Sequence, residues 1–540
     1  MGTLGDIYEN FIREGSNQPD IKYFYGNVPR TIKESIQLSK ESFEIKIDSN
    51  KIEILKQILR DYHKDLGLLT TKVDANIDLI HQGIVLGGQQ ATVFGGSGII
   101  GNKIATITAI SDVSKKINQY LVPMFLVNTH DSIQPEITTI HLPNSQSSVS
   151  KPISLTSAIE GLVSSKISSN EFEWLEENLS IIKNIFNEFK TSMDKNSQKI
   201  FIEKVDHIIT FIRETYRSSR DIGEWITLLW GIQANIINDW GVIFFPSSHP
   251  EIRKLTVDGY KPFLEKRIDY IEEFNNSTEK IEKMGCQFTT AKKTSDYSPF
   301  FYESPRNGHR IKLTCKEEKD TLYFTALSPS NDTVYSFEID KNDINLSPLS
   351  LRLIPRLDTN QALLQSIMPV YVRVSGPGEI NYNAQVIPAI RKIGIQFPIF
   401  VKYTRMLYNT PWIENLNHEI GDDSVSLFAG DFFKTLGRLA KARRKEEKEQ
   451  LFIESKNLAK IIETKISEIS KYSDKPNSNI EKYKSWQFGM YDEFHNWQEV
   501  SWPWFIMASI TGLSDYVASY RRYYSEDSPI GGIGYINARL

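Results

Sequence analysis

Residues 84–105, IVLGGQQATVFGGSGIIGNKIA, restrict the possible folds more than any other stretch of the chain. Ile84, Val85 and Leu86 form a short apolar run with the character of a buried strand. Six glycines follow between positions 87 and 101, and from Asn102 the apolar spacing turns helical through Ile110. The pattern is a strand, an open glycine loop and a helix start. Such a loop can bring free backbone N–H groups to a helix N-terminus, where the macrodipole favours an anion. A glycine-rich turn without a ligand is the other reading. Gly96-Ser97-Gly98-Ile99-Ile100-Gly101 matches the G-x-G-x-x-G string, but residues 88–95 separate it from its strand. The next acidic residue beyond a strand, Asp131, comes late for a nicotinamide or flavin site. A serine-hydrolase elbow around Ser97 fails at Ile99, where its last glycine belongs.

The next apolar run, VPMFLV at 122–127, gives a βαβ order and hence a parallel pair with a right-handed crossover. Ligands in such sheets lie beyond the C-terminal ends of the strands, which sets Asn128, Thr129, His130 and Asp131 beside the glycine loop. His130 and Asp131 read either as an acid/base pair or amine anchor, or as polar residues satisfying a strand end. The same grammar returns at 368–393. An apolar run feeds Ser375-Gly376-Pro377-Gly378-Glu379 and a helical stretch follows from Asn381, as expected of a second half of one sheet. Glu379 either binds a substrate amine or sits favourably near a helix N-terminus.

Between these halves lie a serine-rich loop at 144–150, a helical region at 155–240, a strand at 241–245 closed by a turn with His249, and a further helix at 251–274. Alternating segments at 285–344 predict a small antiparallel β insertion. Beyond Tyr403 the pattern is mostly helical, with a mixed-charge face at 441–450. Leu451, Leu458, Ile462, Ile466 and Ile469 have near-heptad spacing, suited to a short antiparallel coiled coil within the chain or across a dimer. Trp497, Trp502, Trp504 and Phe505 read as core.

At 540 residues the chain is too long for one ordinary core. The expected division is 1–150 (N-terminal helices and the first half of the core), 151–345 (helical and β insertions with a core strand near 241–245), 346–403 (the second half) and 404–540 (a C-terminal helical coiled-coil domain). A net charge of −4 and a pI near 6.2 argue against nucleic acid or a membrane surface as partner. No apolar run is long enough to span a bilayer, and the first residues lack a signal pattern, with Asp6 interrupting a myristoylation string; a cytoplasmic protein is expected. Two cysteines, Cys286 and Cys315, are too few for a disulfide framework, and nine scattered histidines give no metal motif, so no metal is expected.

Several motifs together resemble one family. Gly88-Gln89-Gln90-Ala91 with Phe94, Gly96 and Lys103 is similar to the GQQAGLFTGP loop and following helix lysine of the cysteine ligases of bacillithiol biosynthesis, the BshC family. Residues 122–125 resemble its second strand, 245–248 its D-P-S turn, and Gly376-Pro377-Gly378-Glu379-Ile380-Asn381-Tyr382 with Gln385 its G-P-G-E-I-x-Y-x-x-Q motif. Gln498-Glu499 resembles a Q-E-R near the family's C-terminus. The family's E-D-H-D after the second strand stands here as His130-Asp131-Ser132-Ile133, so Asp131 alone matches in place.

The resemblance implies an α/β fold: a Rossmann-like parallel core shaped like class I aminoacyl-tRNA synthetases, with helical and β insertions and a dimerising C-terminal coiled coil. It implies a carbon–nitrogen ligase joining the carboxylate of cysteine to the amine of glucosaminyl malate, with ATP expected because an amide formed from a free acid needs activation. Gly88, Gln89, Gln90, Gly96, Gly98 and Lys103 are then expected to bind the nucleotide, and Asn128, Thr129, Ser375, Gly376, Gly378 and Gln385 the substrates. Asp131, His130, Glu379 and Tyr382 are expected to perform the chemistry. The alternatives are a non-catalytic or repurposed nucleotide- or amino-sugar-binding protein that kept the fold, and a nicotinamide oxidoreductase.

Overall fold

A computed structural model describes residues 8, 19–42, 45–143, 151–155, 160–191, 193–327, 334–409, 435, 438–439, 442, 447–471, 498–538 and 540. Its centre is a five-stranded, all-parallel sheet of β1 (Ile84–Gln90), β2 (Val122–Asn128), β3 (Ile243–Pro246), β4 (Val370–Ser375) and β5 (Ile399–Lys402). In space the order is β5-β4-β1-β2-β3. The chain therefore moves outward from β1 to β3, then returns to the other side of β1 for β4. A strand order that reverses in this way opens a crevice at the C-terminal ends of the two strands flanking the reversal, here β1 and β4.

These strands read as unbroken apolar runs because both faces are covered. On one face Ile84, Leu86, Met124, Ile243 and Val370 pack against Leu55, Leu59, Val73 and Ile77, from helices Ser49–Asp65 and Thr71–Asp78. On the other face Val85, Phe125, Phe244, Val372 and Val374 meet α1 (Gly98–Lys116), whose Ile100, Ile104 and Ile107 are fully buried. The second helix of the motif, α2 (Pro377–Lys392), follows β4 directly and lies on the same core.

The insertions keep to the expected order with shifted bounds. The helical region begins at Phe172, later than its apolar content suggests, and consists of Phe172–Lys190, Lys195–Arg217 and Ile222–Gly231. The β insertion is an antiparallel sheet of Tyr297–Glu303, Arg310–Glu318, Thr321–Leu327 and Val334–Asp340, with Leu353–Pro355 at its edge. Cys315 is buried in that insertion's own core, and Cys286 is a second buried cysteine. His249 caps helix Pro250–Thr256, its ring accepting from Glu251 N–H.

Beyond Tyr403 the described residues are mostly helical, with one pair of strands that the sequence did not suggest. Arg405–Asn409 and Ile533–Asn537 pair as parallel strands, an arrangement invisible locally because the partners lie more than a hundred residues apart. Trp502, Trp504 and Phe505 are buried in the same core as α1, so this part of the chain packs on the sheet layer. Of the coiled-coil seam, Leu451 and Leu458 are half-buried on helix Lys448–Lys471. The side chains of Ile462, Ile466 and Ile469, the segment 472–497 with Trp497, and the serine-rich loop lie outside the described residues. No helix among the described residues is long and apolar enough to cross a membrane.

Candidate active site

A cavity of about 460 Å³ opens at the β1/β4 reversal. The end of β1 contributes Gly88, Gln89 and Gln90; β2 and its exit contribute Asn128 and Asp131; β4 and the turn after it contribute Arg373, Gly376, Gly378, Glu379 and Tyr382. Lys103 of α1, Gln361 and Arg405 complete the polar wall. Gln90 and Glu379 thus face one space across almost three hundred positions of sequence.

Lys103 joins the two glycine motifs. Its side chain is 2% exposed, and Nζ donates to Gly88 O (2.8 Å), Gln89 Oε1 (2.9 Å) and Glu379 Oε2 (2.6 Å), using all three ammonium protons. Burial pulls the ammonium below its usual range, against the opposing pull of Glu379. Glu379 also accepts from Gly376 N–H at 2.6 Å, closing the N-terminus of α2, and lies 3.5 Å from Arg373 Nη2. Burial would raise its carboxyl, but Lys103, Arg373 and the Gly376 hydrogen bond together hold it below the ordinary carboxylate range. Lys103 and Glu379 are therefore an ionised, hydrogen-bonded pair.

Asp131 is equally constrained. Oδ2 accepts from Gln90 Nε2 (2.9 Å) and Asn128 Nδ2 (3.1 Å), and Oδ1 is 3.0 Å from Arg310 Nη1. Arg310 comes from the β insertion, stacks on Phe301 and also donates to Ser132 Oγ at 2.9 Å. Arg310→Ala is expected to lower stability by about 2 kcal/mol, the scale of a charge-assisted hydrogen bond lost in a half-buried site. Arg310→Lys should recover less than half of it, because an ammonium cannot serve Asp131 and Ser132 as a planar fork does. Denaturant midpoints measure both; full recovery by lysine would show that charge alone matters.

Several lining groups have no partner among the described residues: Arg373 Nη1, Arg405 Nη1, Asn128 Oδ1 and both amide atoms of Gln361. Buried polar groups are ordinarily hydrogen-bonded, so this cluster of orphans marks where a polar ligand completes the wall. Two of them are guanidinium donors, which suit anionic oxygens. Burial raises the Tyr382 phenol well above its usual range, leaving a neutral hydroxyl that can hydrogen-bond but is not a base.

Other predicted residues stand elsewhere. His130 faces a separate small cavity with Ser247, Arg253 and Tyr260. Burial, with Arg253 and Arg310 nearby, holds its imidazole down at about 3, so it stays neutral and is no acid/base partner of Asp131. Thr129 is buried, its N–H donating to Ser247 Oγ and its hydroxyl bonded to Ser248, which removes it from the substrate wall. Gln385 is fully buried and ties Thr278 and Thr290 to α2; it braces the helix from behind. Ser375 is buried beside the cavity without lining it, and its hydroxyl has no partner among the described residues.

At the start of α1, the side of Gly98 on which a side chain would stand is filled by protein. A Cβ on Gly98 would lie 2.2 Å from the Tyr408 hydroxyl and 2.7 Å from that of Tyr520. Gly95 (φ +83°) is pressed against Trp504, whose indole N–H donates to Phe94 O at 2.7 Å, while Trp230 donates to Gly95 O at 3.1 Å. These glycines let aromatic rings approach the backbone from one side; Gly98 itself does not line either cavity at this end of α1, whereas Ser97, Ile99 and Ile100 do. Gly96 lines a second cavity of about 560 Å³, which shares Gln89, Gln90, Ile99, Glu136 and Val500 with the first. Among the described residues no three His, Cys, Asp or Glu side chains gather as a metal site.

The family model of the bacillithiol biosynthesis BshC N-terminal Rossmann-like domain matches residues 7–404. The chain belongs to the BshC family. Relatives named "Putative cysteine ligase BshC" include one from Staphylococcus epidermidis, 23% identical over 68% of this chain and 64% of its own length. One from Staphylococcus saprophyticus is 24% identical over 71% of this chain and 67% of its own length. A third, from Carboxydothermus hydrogenoformans, is 24% identical over 73% and 68%. The matched region spans about two thirds of these BshC relatives. Arg310, Arg373 and Arg405 were missed by sequence reasoning. Arg373 alone carried a signal, as the one charge in the apolar run VYVRVS.

Proposed function

We propose that the chain is an amide-forming carbon–nitrogen ligase that joins the carboxylate of cysteine to the amine of glucosaminyl malate, with ATP as the activating co-substrate. The carrying observation is the cavity at the β1/β4 reversal, where both glycine motifs and several partnerless polar atoms meet. Family membership supports the substrate pair, since the relatives are named as cysteine ligases.

Tyr408 and Tyr520 fill the side-chain face of Gly98, while Ser97, Ile99 and Ile100 at the start of α1 face the adjoining cavity. Arg373 and Arg405 fit anionic oxygens, and they would hold a nucleotide's phosphates or a substrate carboxylate. A bound nucleoside triphosphate would supply the leaving group that a free acid lacks. Lys103 has no proton or donor to spare, so its work is to fix Gly88, Gln89 and Glu379 relative to one another. Gln89, Gln90 and Asn128 supply neutral donors and acceptors for orientation, and such positioning is itself a large part of catalysis between two bound reactants.

The purified protein should consume ATP only when both cysteine and glucosaminyl malate are present, with the amide product seen by mass spectrometry. Lys103→Met should lower kcat/KM by at least about a hundredfold, the loss expected when a site's geometry is released. Absence of turnover with this pair would overturn the proposal, as would full activity in Lys103→Met.

A further inference from the structure

Glu499 is fully buried behind the cavity, on the short helix Gln498–Ser501. Oε1 accepts from Asn102 Nδ2 at 2.5 Å, and Oε2 from Met406 N–H at 3.1 Å. Each bonded residue is next in sequence to a residue of the cavity wall. Asn102 precedes Lys103, Met406 follows Arg405, and Glu499 itself precedes Val500. One carboxylate thus ties together α1, the strand Arg405–Asn409 and the C-terminal segment at the point where all three reach the site.

The Asn102 amide cannot turn to suit a different partner. Its Nδ2 also donates to Thr404 O at 2.7 Å, and its Oδ1 accepts from Tyr524 OH at 2.6 Å. Both donors facing Glu499 are therefore fixed, and only a group with two acceptor atoms satisfies them. Among the described residues, the charged or titratable groups that act on Glu499 or feel its charge are Arg405 and the tyrosines 403, 408, 516, 520 and 524. Burial raises all five phenols, so Arg405 is the one charge opposing it.

We propose that Glu499 is a positioning residue of the site: from behind the wall its carboxylate holds Lys103 and Arg405 in place through their neighbours Asn102 and Met406. The inference rests on reading the cavity as the ligase active site. Glu499→Gln keeps the size but puts an amide N–H₂ against a fixed donor, so one of the two ties is lost.

Arg405's contact with an anionic substrate is made equally in the ground and transition states, so the loss should fall on KM. Glu499→Gln is expected to raise the KM of the anionic substrate that Arg405 holds, be it ATP, cysteine or glucosaminyl malate, by about tenfold or more while kcat stays within about threefold. Burial pushes the Glu499 carboxyl up to about 7, so the wild-type KM should rise as pH falls through neutrality, a break that Glu499→Gln lacks. Independently of activity, amide hydrogen exchange in the variant should accelerate about tenfold or more at 98–104, at 404–409 or at both, and stay near wild type elsewhere.

Exchange that is unchanged, or faster evenly along the chain, would overturn the proposal, as would wild-type kinetics in the variant. Should the wild-type protein ligate nothing, the ligase reading falls by itself, and the exchange experiment still decides whether Glu499 holds these two segments.

Discussion

Glu379→Ala is expected to be the most damaging truncation in the cavity, removing about 3–5 kcal/mol of stability together with all measurable ligation. The size follows from what remains. Lys103, 2% exposed, would keep its charge beside two neutral acceptors, and Arg373 would lose its carboxylate. The N-terminus of α2 would also lose the side chain that accepts from Gly376 N–H. A buried ion pair is weak evidence for stability because desolvation offsets its attraction, but removing one partner exposes the whole desolvation penalty of the other. The double variant Lys103→Met/Glu379→Leu should therefore recover most of the lost stability while remaining inactive. Denaturant midpoints of the two single variants and the double separate these terms. A loss below about 1 kcal/mol for Glu379→Ala would mean that water reaches the pair and that the two motifs are not coupled through it.

What the sequence could and could not reveal about this pair follows from chain geometry. The parallel sheet was legible because strands covered on both faces are apolar runs, as Ile84–Leu86 and residues 122–127 are throughout and Val370–Val374 is apart from Arg373. The meeting of Gln90 and Glu379 was legible for a related reason: two strand–glycine–helix units in one sheet place their turns on the same edge. The glycines themselves were misleading. A glycine shows that something approaches the backbone closely, and sequence cannot say whether that is a phosphate or a ring; for Gly95 it is Trp504, some four hundred positions away. His130-Asp131 does not work as a pair because the chain bends after β2: Asn128 and Asp131 face the cavity with Gln90, while Thr129 and His130 turn toward Ser247. Arg310 left no local trace, because its role exists only once the β insertion folds back over β2's exit.

Acid should unfold this protein through two histidines outside the catalytic wall, and the sign can be worked out from each. His63 is fully buried; Nδ1–H donates to Leu59 O at 2.8 Å and Nε2 accepts from Phe244 N–H at 3.0 Å, an arrangement only the neutral ring can make. Burial holds it down at about 4, and His130 is held at about 3 by burial and two arginines. The unfolded chain protonates both near 6.5. Each therefore contributes stability that is complete above pH 6.5 and is lost as the pH falls toward its folded value, about 3 kcal/mol apiece by pH 4. The buried carboxylates of Glu379 and Asp358 lie below their usual range and add to the same trend at lower pH. Glu499, held up at about 7, acts with the opposite sign and offsets about one histidine's share, so the unfolding free energy should fall by about 1.4 kcal/mol per pH unit in net between pH 6 and about 4.5. His63→Gln offers a donor and an acceptor to the same two backbone groups and does not titrate. It should remove one histidine's share of that slope, and an unchanged slope in the variant would show that His63 is already charged in the folded state.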